Sequence, residues 1–151
     1  MAGGGRKDQG LKRSESLSVR GIPLPRGMEI RKRDEQAPFT TKDGSTIRSL
    51  LDLSNAPVKN QSLAEATLPA GGETERHYHK VSEEFYYVLE GAGVMEINGE
   101  EWEVGPGDSI LIPSGAWHQI KATEPMQFLC CCAPPYACLL YTSPSPRDSG
   151  K

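Results

Sequence analysis

From Met28 to Cys132 the apolar residues fall in short runs or at alternate positions, and no stretch carries a sustained helical period. The runs that read as strands are "MEIRKR", "STIRSLL", "SLAEATL", "ERHYHK", "EFYYVLE", "GVMEING", "EEWEV", "SILIP", "WHQIKA" and "MQFLCCC". Turn chemistry separates them: Gly71-Gly72, Gly91, Asn98-Gly99, Gly105-Pro106-Gly107-Asp108 and Pro113-Ser114-Gly115. Asn98-Gly99 is the most diagnostic, since a two-residue hairpin loop needs positive φ at both central positions and Asn-Gly tolerates it. "GVMEI" and "EEWEV" are therefore expected to pair. "EFYYVLE" and "SILIP" are apolar on both faces, which suits a closed barrel or sandwich covered outside by other strands or a second subunit, so a homodimer is expected. The pattern predicts an all-β single domain, and no internal repeat of about 20 to 50 residues suggests a solenoid or propeller.

Composition sets the outer limits. A chain of 151 residues, 36% hydrophobic and 25% charged, fits one ordinary domain. No apolar run reaches membrane-span length and the start lacks a secretory signal's apolar stretch, so a cytoplasmic protein with no membrane partner is expected. Net charge is −3, but unevenly placed: residues 1–27 hold six Lys/Arg against two Asp/Glu, while residues 28–137 hold nine against seventeen. That acidic body argues against nucleic acid as a partner, because phosphate binding draws on clustered Lys/Arg.

The two ends differ from the body. Residues 1–27 mix Gly, Ser, Pro and charge without apolar period and are expected to be a disordered N-terminal extension. Residues 138–151 are expected to be a disordered Ser/Pro tail; "CLLYTSPSPRD" resembles the conceptual translation of a sequencing adapter, and on that reading the native sequence continues differently past about Ala137. The domain is thus placed at 28–137.

The chemistry is carried by few residues. In a strand, side chains two apart share a face, so His77 and His79 present two imidazoles together while Tyr78 points away. Glu84 follows, then "GDSILIPSGAWHQ" supplies His118; these are the chain's three histidines and an acidic neighbour. Three imidazoles and a carboxylate suit one divalent transition metal ion (Fe, Mn, Ni, Co or Zn), with bonds of about 2.0–2.2 Å. Glu83 competes with Glu84 on spacing alone. Cys130, Cys131 and Cys132 lie in a strand-like run whose neighbours face opposite ways, which favours reduced, packed thiols over a disulfide framework. Cys130 and Cys132 share a face with Phe128; a packed, inert thiol is the expected role, with one of them pointing into the barrel near the metal as the alternative. Trp102 and Trp117 are read as core or interface aromatics.

The spacing then becomes specific. Gly71 to Gly91 resembles the first cupin motif: glycine, five residues, His-x-His, four residues, glutamate, six residues, glycine. Gly107 to His118 resembles the second: glycine, five residues, proline, one residue, glycine, two residues, histidine. The second motif commonly ends in Asn four residues on, where this chain has Ala122, a change that touches a turn and not a ligand. The resemblance implies a double-stranded β-helix, the jelly-roll cupin barrel, with metal ligands His77, His79, Glu84 (favoured over Glu83 by the distance to Gly91) and His118. It also implies a small-molecule ligand or substrate, because similar cupins include dioxygenases, sugar isomerases, epimerase relatives and lyases. Tyr86 shares a face with Glu84 and is the candidate general acid/base, with a packing role as its alternative; a similarly placed tyrosine occurs in cupin-type lyases. Two functions stay open: a metal-dependent enzyme (oxygenase, isomerase or lyase) acting on a small polar molecule inside the barrel, or a non-catalytic module that binds or senses a small ligand through the metal.

Overall fold

Two antiparallel sheets face one another in the computed structural model, which describes residues 27–135 and the backbone of Thr142–Pro144. The strands are β1 (Phe39–Thr40), β2 (Thr46–Leu51), β3 (Ser62–Leu68), β4 (His77–His79), β5 (Glu83–Glu90), β6 (Gly93–Ile97), β7 (Glu100–Val104), β8 (Ser109–Ile112), β9 (His118–Ala122), β10 (Met126–Ala133) and β11 (Thr142–Pro144). One sheet runs β1-β2-β3-β10-β5-β8 and the other β11-β4-β9-β6-β7, so from β3 onward the chain crosses between sheets at every step but the β6–β7 hairpin, as in a jelly roll. Among the described residues the only helical element is a 3-10 turn at Arg33–Glu35.

The expected strands are found with one exception. "MEIRKR" alternates like a strand, yet Met28 and Ile30 are exposed and no strand forms before Phe39. Its arginines fix it instead. Arg33 grips Glu65 on β3 with two hydrogen bonds of 2.8 and 2.7 Å, and the Arg31 Nε donates to the Asn55 carbonyl at 2.6 Å. Arg48 on β2 reaches back to the Gln36 carbonyl at 2.6 Å. Alternation there reflects which side chains touch the sheet, not a ladder. The two-residue β1 and the pairing of β11 with β4 were not anticipated, since pairings this short carry no periodic signal. The rest of the two terminal segments lies outside the described residues.

Register sorts the interior into two ends. Along β5 the inward residues are Glu84, Tyr86 and Val88; opposite them on β10 stand Cys132, Cys130 and Phe128. Along β9 the inward residues run His118, Ile120, Ala122, against Ile97, Met95 and Gly93 on β6. Each strand therefore puts its polar inward residue at one end and its apolar ones towards the other. Val88, Ile120, Phe128, Met95, Met126 and Leu68 pack into a core at the apolar end.

Turns lock this register. Asn98 and Gly99 both adopt positive φ (50° and 92°), giving the hairpin between β6 and β7. Ala122 keeps its turn through the backbone, donating to the Gly72 carbonyl and accepting from Gly71, both at 2.8 Å. Gly91 is more constrained: its φ is +82°, and an added Cβ would sit 2.0 Å from the Pro125 carbonyl oxygen. We expect Gly91→Ala to destabilise the domain by about 3 kcal/mol, combining backbone strain with displacement of the β9–β10 turn. Chemical denaturation midpoints of wild type and variant measure it.

Candidate metal centre

Four side chains from three strands meet at the polar end of the barrel. His77 and His79 lie on β4, Glu84 begins the inward row of β5, and His118 opens β9 directly across from His77. Gly115 donates to the His79 carbonyl at 2.7 Å, tying the turn before His118 to the strand that carries the His pair. One potential ligand atom from each of His77, His79, Glu84 and His118 lies within 4.8 Å of the others. The ring centroids are 5.0 Å apart for His77 and His79, 4.3 Å for His77 and His118, and 5.4 Å for His79 and His118. His79, Glu84 and His118 are buried, and His77 is half-buried. Glu83 points outward, so Glu84 is the carboxylate of the cluster.

The hydrogen bonding prepares the imidazoles to act as ligands. His77 Nδ1 lies 2.7 Å from the Glu75 carbonyl and His118 Nδ1 lies 3.0 Å from the Ala116 carbonyl. A carbonyl only accepts, so both rings carry their proton on Nδ1 and turn the Nε2 lone pair inward. His118 Nε2 is fully buried, has no well-formed hydrogen bond, and sits 3.4 Å from Glu84 Oε1. His79 Nε2 approaches the same oxygen at 3.2 Å. Aimed lone pairs and a buried atom without a hydrogen-bond partner are what a divalent cation would satisfy, and nitrogen and oxygen donors are the right chemistry for one.

Electrostatics point the same way. Burial lowers the His77 pKa to about 4, with a further push from His118, against the pull of the Glu75 carbonyl. Burial alone would raise the Glu84 pKa, but the facing nitrogens of His118 and His79 outweigh it and hold the carboxyl well below its usual range. His77 is thus held neutral and Glu84 ionised, the ligating form of each.

The cluster opens into a cavity of about 610 Å³ lined by His77, His79, Glu84 and Tyr86. Its walls mix apolar side chains such as Ile47 and Phe128 with the hydroxyls of Thr41, Ser45 and Thr74. Asp43 closes one side, accepting from the Glu75 amide at 2.6 Å and so bracing the β1–β2 turn against the chain entering β4. Tyr86 is 4% exposed, its ring 6.1 Å from His118 and 4.8 Å from Phe128. Burial, and then the charge on Glu84, raise its pKa far above 10. A wider depression of about 720 Å³ lies between the edge strands β7 and β8, but it holds no histidine.

One cysteine takes the alternative role, beside the cluster, rather than the expected packing one. Cys132 is buried and its Sγ donates to Glu84 Oε2 at 2.9 Å. The cue is register, since β10 puts Cys132 opposite Glu84, and register is not written in either strand alone. Cys130, Cys131 and Cys132 are all free thiols, as expected. Trp102 is 74% exposed and so is not a core residue, whereas Trp117 packs against Tyr78 with Arg76 above its ring.

A two-sheet β-barrel with a three-histidine, one-glutamate cluster at one end defines the class of the molecule. The chain belongs to the cupin superfamily: the family model for the cupin domain matches residues 64–132. It is 46% identical over 106 residues to uncharacterized protein MJ1618 of Methanocaldococcus jannaschii, covering 69% of this chain and 85% of that one. It is 32% identical over 85 residues to the tetracenomycin polyketide synthase protein TcmJ of Streptomyces glaucescens, covering 56% of each. Among solved structures, the polyketide cyclase RemF from Streptomyces resistomycificus superposes with a TM-score of 0.62 at 27% identity, over 71% of this chain and 80% of that one. Further relatives are named as dioxygenases and as an oxalate-binding protein.

One measurement bears on the cluster. In metal-free protein, His77 takes its proton in the unfolded chain near pH 6.5 but in the folded chain only near 4. The folded state therefore binds fewer protons in that window, so its stability should be complete above about 6.5 and fall as pH drops towards 4. Thermal midpoints across the window, compared with a His77→Gln variant, should show the variant falling less steeply; parallel curves would count against it.

Proposed function

We propose that the protein is a metal-dependent cupin enzyme whose divalent transition metal ion is held by His77, His79, Glu84 and His118. The observation that carries this reading is the convergence of these four ligand atoms, with His118 Nε2 buried and lacking a hydrogen bond, at the end of a cavity large enough for a small molecule. A bound divalent ion would supply Lewis-acid polarisation of a coordinating oxygen, and redox chemistry where the metal is Fe or Mn.

The chain's own residues supply the rest. His77 and His118 stay in one tautomer because the Glu75 and Ala116 carbonyls hold their Nδ1 protons. Four protein ligands leave positions on an ion that prefers six, and the cavity gives a small oxygen-bearing molecule access to them. Tyr86, neutral at any ordinary pH, is suited to donate a hydrogen bond or a proton to an oxygen developing charge, and unsuited to act as a base. The apolar walls would exclude water and suit a ligand with a planar or apolar part beside its chelating oxygens. An oxygenase of small chelating substrates is the reaction class most in keeping with the relatives named dioxygenases. The relative named an oxalate-binding protein favours a second reading, capture of a small ligand without turnover.

His77→Ala and His118→Ala should each abolish stoichiometric metal uptake, read by elemental analysis of protein purified without chelator; full occupancy in both would remove the ligand set. Oxygen consumption with a panel of catechols, β-diketones and α-hydroxy acids separates the two functions. Turnover that Tyr86→Phe lowers at least tenfold at unchanged metal content supports the enzyme, while saturable binding with no turnover supports the binding module.

Assembly as a homodimer also belongs to this proposal. Phe85, Tyr87 and Leu89 on β5 and Leu111 on β8 form one outward apolar face with exposures of 50%, 42%, 37% and 55%, uncovered by the described residues. Light scattering should give twice the chain mass, and Phe85→Glu with Leu111→Glu should halve it.

A further inference from the structure

The two oxygens of Glu84 have different surroundings. Oε1 faces His79 Nε2 at 3.2 Å and His118 Nε2 at 3.4 Å, within the cluster of ligand atoms. Oε2 points away from the imidazoles and accepts from the Cys132 thiol at 2.9 Å. Both partners are buried, Glu84 at 6% exposure and Cys132 at 3%. The pairing is imposed by the ladder: Cys132 lies across from Glu84, and Cys130 across from Tyr86, on antiparallel strands whose inward residues interleave. A carboxylate oxygen only accepts, so the thiol is the donor in this contact.

We propose that Cys132 is a positioning residue for the metal centre, whose S–H bond to Oε2 restricts Glu84 to one-oxygen ligation through Oε1. The inference rests on the metal reading above and deepens it. A carboxylate with one oxygen engaged elsewhere fills one coordination position where a chelating carboxylate fills two, so the thiol keeps a position open to substrate. A simple packing residue would need only the right volume. A positioning donor needs an X–H group aimed at Oε2, which is a requirement that serine meets and valine does not.

Titration of the purified full chain with Co²⁺, followed by visible absorption and chelator competition, tests this without any need for a substrate. Cys132→Val, which replaces the thiol by a branched side chain with no donor, should weaken Co²⁺ binding about tenfold or more and should lower the intensity of the visible bands, as expected when Glu84 becomes free to chelate and coordination number rises. Cys132→Ser should restore both affinity and band intensity to near wild type. The proposal is overturned if Cys132→Val matches wild type in both, or if Cys132→Ser departs from wild type as far as Cys132→Val does. Should Cys132→Val fail to fold, the serine variant still decides, because band intensity equal to wild type requires the retained donor and lowered intensity contradicts it. Absence of Co²⁺ uptake by the wild-type chain would instead remove the metal reading itself, and this inference with it.

Discussion

Burying three imidazoles and a carboxylate at one end of an apolar barrel costs free energy unless a common partner satisfies them, and the rest of the molecule is arranged around that constraint. Glu84 and two of the three rings are almost wholly out of water, and they meet at Glu84 Oε1, His79 Nε2 at 3.2 Å and His118 Nε2 at 3.4 Å. The carbonyls of Glu75 and Ala116 fix two of the rings from behind. Without a cation His118 Nε2 has no hydrogen bond, and a divalent ion would satisfy it together with its neighbours.

The strand register is what makes that possible. His77 stands opposite His118, Glu84 opposite Cys132, and behind each polar residue the same strand continues inward with apolar ones, Ile120 after His118 and Val88 after Tyr86. A slip of one residue in β5 would turn Glu84, Tyr86 and Val88 outward and bring Phe85, Tyr87 and Leu89 in. Gly91, which leaves no room for a Cβ beside Pro125, and the Asn98-Gly99 hairpin pin the strands that flank the site. Stability and chemistry therefore draw on the same turns.

Much of this was legible in the sequence because its signals are local. His-x-His in an alternating strand, Asn-Gly between two strands, and glycines at fixed offsets each act through a few neighbouring residues. What was not legible depends on pairing between distant segments. The "MEIRKR" run alternates as a strand does, but its arginines answer to Glu65 and to the Asn55 carbonyl and it joins no ladder. Cys132 looked like packing because its partner is set by the β5–β10 register. The choice of Glu84 over Glu83 needed only the pleat, which faces one inward and the other to solvent.

The most direct measurement is X-ray absorption at the metal edge of protein purified without chelator and reconstituted with one equivalent of Co²⁺ or Fe²⁺. The account predicts a shell of nitrogen and oxygen at about 2.0–2.2 Å with the outer-shell pattern of several imidazoles and no sulfur. A sulfur scatterer at about 2.3 Å, or the absence of imidazole scattering, would contradict it.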